Sequence, residues 1–114
     1  NDTLIMIVAD HGNNMPTVYD ILKSDDYNIE RYLPTLFYIA PKEFSIKYGE
    51  SLLFNEQSWV TQLDIYETFV DIANSINFNT TKGRSILNKI DNNQYSCNHY
   101  SISKERCVCP PKNK

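Results

Sequence analysis

Thr3-Leu4-Ile5-Met6-Ile7-Val8-Ala9-Asp10-His11-Gly12 is an apolar run that ends in a carboxylate, an imidazole and a glycine. Residues Thr3 to Val8 are β-prone throughout and read as a strand buried on both faces, as in a sheet covered by helices. Neighbouring side chains of a regular strand point to opposite faces, so Asp10 and His11 converge on one point only where the chain turns. Gly12 is expected to supply the freedom for that turn. Ligand sites of open α/β sheets lie beyond the carboxyl ends of their strands. An adjacent oxygen and nitrogen donor at that place reads as half of a divalent-metal site. Asp and Gly are also ordinary turn residues after a strand, so the tripeptide needs support from the rest of the chain.

Composition bounds the function classes. With 114 residues the chain is one domain at most. It carries 11 Lys+Arg against 14 Asp+Glu, a net charge of -3. No basic stripe points to nucleic acid, so none is expected as a partner. Eight Tyr and five Phe suit a packed body. The longest purely apolar run, Leu4 to Ala9, is too short to span a bilayer, and any membrane anchor is expected outside this chain. The start has no initiator Met, no basic n-region and no cleavage-site pattern. A chain that enters a core strand almost at once reads as a piece of a longer protein.

Cys97, Cys107 and Cys109 cluster near the end, ahead of Pro110-Pro111. With only His99 nearby, C-x9-C-x-C is a poor zinc pattern, since structural zinc is usually held by closely spaced cysteine pairs. A disulfide from Cys97 to Cys107 or Cys109 fits better, leaving one thiol for a partner elsewhere. Asn79-Thr80-Thr81 and Asn1-Asp2-Thr3 are N-glycosylation sequons. Together with the cysteines they point to a secreted or lumenal protein, or to the extracellular face of a membrane.

Along the chain there is no repeat and no low-complexity linker. Asn13 to Arg31, broken by Pro16, is expected to be a long loop with at most a short helix near Val18 to Lys23. Leu33 to Ile39 reads as a second strand with Pro34 at its start. Pro41 at a first helical position is expected to open a short helix through Tyr48. Thr61-Gln62-Leu63-Asp64 resembles a capping box, and the helix it starts is expected to reach about Ala73. Ile65, Tyr66, Phe69, Val70 and Ala73 fall on one face of that helix, which reads as core packing. Ser85-Ile86-Leu87 is expected to be a short strand. Two strands and one long helix do not complete a covered sheet, so the remaining strands are expected from sequence outside this chain.

Four segments in order then resemble one family. Thr3 to Gly12 is similar to the strand and metal motif of the alkaline-phosphatase-like superfamily, which includes sulfatases and phosphoethanolamine transferases. Ile29 to Pro41 is similar to its following strand, and Val60 to Ala73 to the helix after it. Gly83-Arg84-Ser85-Ile86-Leu87 is similar to the segment that succeeds the helix. The cysteine-bearing tail resembles an uncharacterised animal family of secreted or membrane-anchored sulfatase-like proteins. The fold class expected is therefore α/β, the carboxy-terminal part of a sulfatase-like sheet covered by helices and incomplete in this chain. Residues 1–90 would belong to the catalytic domain and 91–114 to a cysteine-containing tail.

The resemblance implies that Asp10 and His11 are metal ligands. An Asp oxygen with a His nitrogen suits zinc or manganese; calcium, which prefers oxygen, is the less suited choice. It implies a sulfate- or phosphate-ester substrate, and a nucleophile and further acidic ligands in an amino-terminal part outside this chain. No C-x-P-x-R sulfatase signature is present, and Cys97, Cys107 and Cys109 fall after the family core. The chain departs from the common pattern at Asn13-Asn14-Met15-Pro16, where many members carry a glycine-rich turn. Lys23 reads as a solvated loop lysine and His99 as a non-ligand. Three readings compete. One is a piece of a metal-dependent hydrolase or transferase, inactive alone. Another is a sulfatase-like extracellular domain without catalysis, against which the Asp10-His11 pair argues. A small disulfide-stapled domain with an accidental likeness fails on the buried first strand and the ordered motifs.

Overall fold

A computed structural model of the chain describes residues 3–13, 15, 17, 25–73, 82–91 and 96–108. These form a mixture of helices and strands in two compact units, Asn1–Pro41 with Ile102–Lys114, and Lys42–Ser101.

In the first unit, β1 (Ile5–Val8) pairs antiparallel with β2 (Leu36–Ile39), in the register Ile5 to Ile39 and Val8 to Leu36. Both are where the β-branched and aromatic runs place them, and Pro34 precedes the ladder, where its missing N–H costs nothing. The register puts Ile5, Ile7, Phe37 and Ile39 on one face. All four are exposed, between 47% and 63% of their surface. The expectation of a strand buried on both faces is thus corrected. Among the described residues β1 has one strand neighbour, and a two-stranded ribbon leaves its apolar face in contact with water.

Between the strands lies α1 (Asp25–Tyr32), inside the stretch expected to be loop. Arg31 in its last turn complements the helix dipole. Its guanidinium lies 5.9 Å from the Tyr27 ring centroid and 5.2 Å from that of Tyr32, and Nη1 donates to the Tyr27 hydroxyl at 3.3 Å. Such local cation–π packing, with Tyr27 buried, stabilises a polar helix that has no apolar stripe. That contact depends on rotamers, which explains why periodicity did not signal it. The expected helix near Val18 to Lys23, and Lys23 itself, lie outside the described residues. A short 3₁₀ turn, Lys104–Arg106, belongs to the same unit.

The second unit holds α2 (Lys42–Asn55) and α3 (Gln62–Ile72). Pro41 immediately precedes α2 as expected, but the helix runs past Tyr48 to Asn55. Gly49 in its interior does not end it, and a Cβ built there meets nothing within 4 Å. Gly49→Ala is therefore expected to raise stability by about 0.5–1 kcal/mol, seen as a higher urea midpoint with an unchanged slope.

Helix α3 starts as its sequence predicts. The Thr61 hydroxyl accepts from Asp64 N, and the Asp64 carboxylate accepts from Thr61 N at 2.7 Å, a complete capping box. Its packed face differs from the expected one. Asp64, Glu67 and Thr68 are buried, whereas Tyr66, Phe69 and Ala73 are exposed. The i, i+3, i+4 spacing of the buried residues is that of a helix face. What covers this face is the backbone of the segment starting at Gly83, which needs hydrogen-bonding partners more than apolar ones.

Ser85-Ile86-Leu87 is a turn, not the expected strand. Ser85 closes it, accepting from Asn88 N through its carbonyl and from Leu87 N through its hydroxyl. Side chains of the two helices satisfy the rest. Ile86 N donates to the Thr68 hydroxyl at 3.0 Å. Asn55 Nδ2 donates to the carbonyls of Ile86 and Asn88, and its Oδ1 accepts from Ile90 N. With its polar backbone paired, the turn buries Ile86, Leu87 and Ile90 beside Leu52 in the small core.

Candidate functional site

The end of β1 builds the site that the sequence singles out. Ala9 N donates to Thr35 O at 3.3 Å, and the chain then leaves the ribbon. At the turn the Asp10 carboxylate accepts from His11 N at 2.9 Å. His11 Nδ1 lies 2.8 Å from Gly12 O. A carbonyl oxygen only accepts, so Nδ1 is the donor in this contact, which leaves Nε2 as the ring nitrogen available to other partners. That nitrogen faces Asp10 Oδ2 at 3.5 Å. Both side chains are largely exposed, 59% for His11 and 81% for Asp10.

This donor set is suited to a cation. Two ligand atoms about 2.0–2.1 Å from one tetrahedral ion lie about 3.3–3.4 Å apart, close to the observed separation. Metal-binding histidines usually donate their second ring nitrogen to a carbonyl or carboxylate, which fixes the tautomer. Among the described residues no group of three or more His, Cys, Asp or Glu forms a metal-sized cluster. Asp10 and His11 therefore stand as a pair.

Gly12 anchors the turn. Its N–H donates to Arg31 O at 2.9 Å, and a Cβ at this position would lie 1.7 Å from Glu30 O. No described glycine has a positive φ. The freedom expected of Gly12 is thus freedom of space and not of dihedral: it fits against the backbone of α1 where a side chain cannot.

A second constellation, in the other unit, surrounds Asp64. This carboxylate is fully buried and accepts from Arg84 N (2.8 Å), Arg84 Nε (3.2 Å) and Tyr100 OH (2.9 Å) through Oδ1. Through Oδ2 it accepts from Thr61 N, the Thr61 hydroxyl and Arg84 Nη2. Arg84 also donates to Trp59 O at 2.9 Å and stacks over the Tyr100 ring. Burial, and then the hydrogen bond to Asp64, push the Tyr100 phenol well above its ordinary value. Gly83 completes the fit, since a Cβ there would meet Leu63 O at 2.3 Å. Every strong acceptor direction of Asp64 is in use, so the cluster is a structural clamp and offers no open coordination position. The capping box announces Asp64 in the sequence. Its partners Arg84 and Tyr100 are too distant along the chain for any local pattern to reveal.

The family model of DUF229, described as a protein of unknown function, matches residues 1–114, the entire chain. The chain belongs to the DUF229 family. DUF229 is a sulfatase-like family of uncharacterised proteins. No curated protein and no solved structure matches the chain.

The remaining residues of interest in this DUF229 chain divide in two. Cys97, buried, is joined to Cys107 in a disulfide, which decides between the two pairings open from sequence. Cys109 and the sequon residues Asn79 and Asn1 lie outside the described residues. His99 packs edge-on against Tyr100, with Nε2 3.3 Å from Lys82 O, and takes no part in a ligand cluster among the described residues.

Proposed function

We propose that this chain supplies the Asp10–His11 half of the divalent-metal site of a hydrolase or transferase acting on sulfate or phosphate esters. One observation carries the reading: His11 is held by Gly12 O with Nε2 facing Asp10 Oδ2. An exposed histidine with no chemical duty has little reason to be fixed through its Nδ1 at the end of a strand. Membership of a sulfatase-like family and the ordered likeness to the alkaline-phosphatase-like superfamily support the same assignment.

In this reading the sheet is one part of an alkaline-phosphatase-like α/β fold, completed by strands and further ligands elsewhere in the protein. Zinc or manganese is the metal that the mixed oxygen and nitrogen donors suit. When bound, it supplies Lewis acidity toward an oxygen of the ester group. Asp10 contributes a negative oxygen donor, His11 a neutral nitrogen donor, and Gly12 O keeps the His11 proton on Nδ1. The nucleophile lies outside this chain. A secreted or lumenal setting is consistent with the disulfide, which persists in oxidising compartments.

Zinc titration of the full-length protein tests the assignment. Asp10→Ala is expected to weaken zinc affinity more than tenfold, since even supporting residues of metal sites are worth about 10–100-fold. The far-UV spectrum should not change, because the side chain is exposed at a strand end. Undiminished zinc affinity in Asp10→Ala would remove it from the ligand set.

A further inference from the structure

We propose that Gly12 is the positioning residue of the Asp10–His11 pair, seating the turn on α1 and selecting the tautomer of His11. This role rests on the metal-ligand reading of the pair, and it extends that reading to a residue that touches no metal. The backbone of Gly12 does two things at once. Its N–H is bonded to Arg31 O at 2.9 Å, which fixes the turn to the last turn of α1. Its carbonyl receives the Nδ1 proton of His11 at 2.8 Å.

Both depend on the missing side chain. A Cβ on Gly12 would fall 1.7 Å from Glu30 O, 2.8 Å from Glu30 C and 3.2 Å from Arg31 Cα. All three are backbone atoms of a helix, so no rotamer change relieves the clash. Any substitution must lift the turn away from α1, and the Gly12 carbonyl moves with it. His11 then loses the acceptor that keeps its proton on Nδ1. A neutral imidazole carries one proton, and once that proton sits on Nε2 this nitrogen has no lone pair to offer an ion. Gly12 therefore governs whether the nitrogen facing Asp10 is a donor atom for metal. It does so through space at α1, since its φ is not in the left-handed region.

The test reads the tautomer directly by ¹⁵N NMR of His11 in the metal-free full-length protein, alongside zinc titration. The wild type is expected to show the Nδ1–H form. Gly12→Ala should shift His11 towards Nε2–H and weaken zinc affinity about 10–100-fold, the loss typical of supporting residues around a metal. A wild-type His11 in the Nε2–H form overturns the proposal, and this readout stands even where Gly12→Ala does not fold. Wild-type tautomer and zinc affinity in a folded Gly12→Ala protein overturn it equally. If Asp10→Ala leaves zinc binding intact while Gly12→Ala still shifts the tautomer, the metal reading fails and Gly12's hold on His11 is upheld.

Discussion

An Asp64→Ala protein is expected to lose about 3–5 kcal/mol of folding stability, the cost of leaving one member of a buried ion pair without its partner. Asp64 has no exposed surface and Arg84 keeps 11% of its side chain exposed. Truncation would leave the part-buried guanidinium without the carboxylate it faces. It would also strip the N-terminus of α3, because Oδ2 takes the Thr61 N–H, and it would release the Tyr100 hydroxyl. These losses share one site and do not add as independent contributions. Urea denaturation of the full-length protein gives the number. A change below about 1 kcal/mol, the level of an exposed pair, would mean that solvent reaches this cluster.

Asp64→Asn sharpens the point. The amide keeps one acceptor for Arg84 and Tyr100, yet it turns an NH₂ towards Thr61 N and Arg84 Nη2, both donors. The Thr61 hydroxyl can rotate to accept, whereas the backbone N–H cannot. A substitution conservative in shape is therefore expected to cost nearly as much as truncation. The clamp works by charge and by acceptor count, not by volume.

What the sequence reveals follows from the range of the interactions involved. The start of α3 depends on contacts three residues apart, and the Thr61–Asp64 pattern predicts it to the residue. The Asp10-His11-Gly12 turn is local only in part: the strand end announces it, and the seat of Gly12 against Glu30 and Arg31 is a contact that residues 10 to 12 do not encode. The inward face of α3 is not local. Ile65, Tyr66, Phe69 and Val70 make an apolar stripe, but the surface that buries α3 is a turn whose backbone asks for hydrogen bonds. Hydrophobic periodicity locates a face only when the covering element is itself apolar. The exposed apolar face of β1 and β2 has the same origin. Six β-prone residues specify a strand, while burial of its faces depends on neighbours that residues 3 to 8 do not encode.

Asn55 shows how far the same principle reaches, and Asn55→Asp is expected to be more damaging than Asn55→Ala. Both amide hydrogens are given to carbonyls, Ile86 O and Asn88 O, while Oδ1 receives Ile90 N–H. Removing the side chain leaves three backbone groups without it, two of them, Ile86 O and Ile90 N, in buried positions. One unsatisfied group costs about 1–3 kcal/mol, and partial collapse of the turn should hold the total near the upper end. The carboxylate keeps the shape but sets a negative oxygen against two carbonyl oxygens, adding repulsion to the same losses. Burial and these acceptors would raise the pKa of the introduced carboxyl above its unfolded value of about 3.9. A raised folded-state pKa means that the native state binds more protons, so stability falls as pH climbs through it and is greatest below the unfolded value. Urea midpoints measured from acidic to neutral pH should thus diverge. Referred to the parent, Asn55→Asp should lose stability as pH rises while Asn55→Ala stays level. Parallel curves would show that the amide hydrogens of Asn55 are not what fastens the turn to α2.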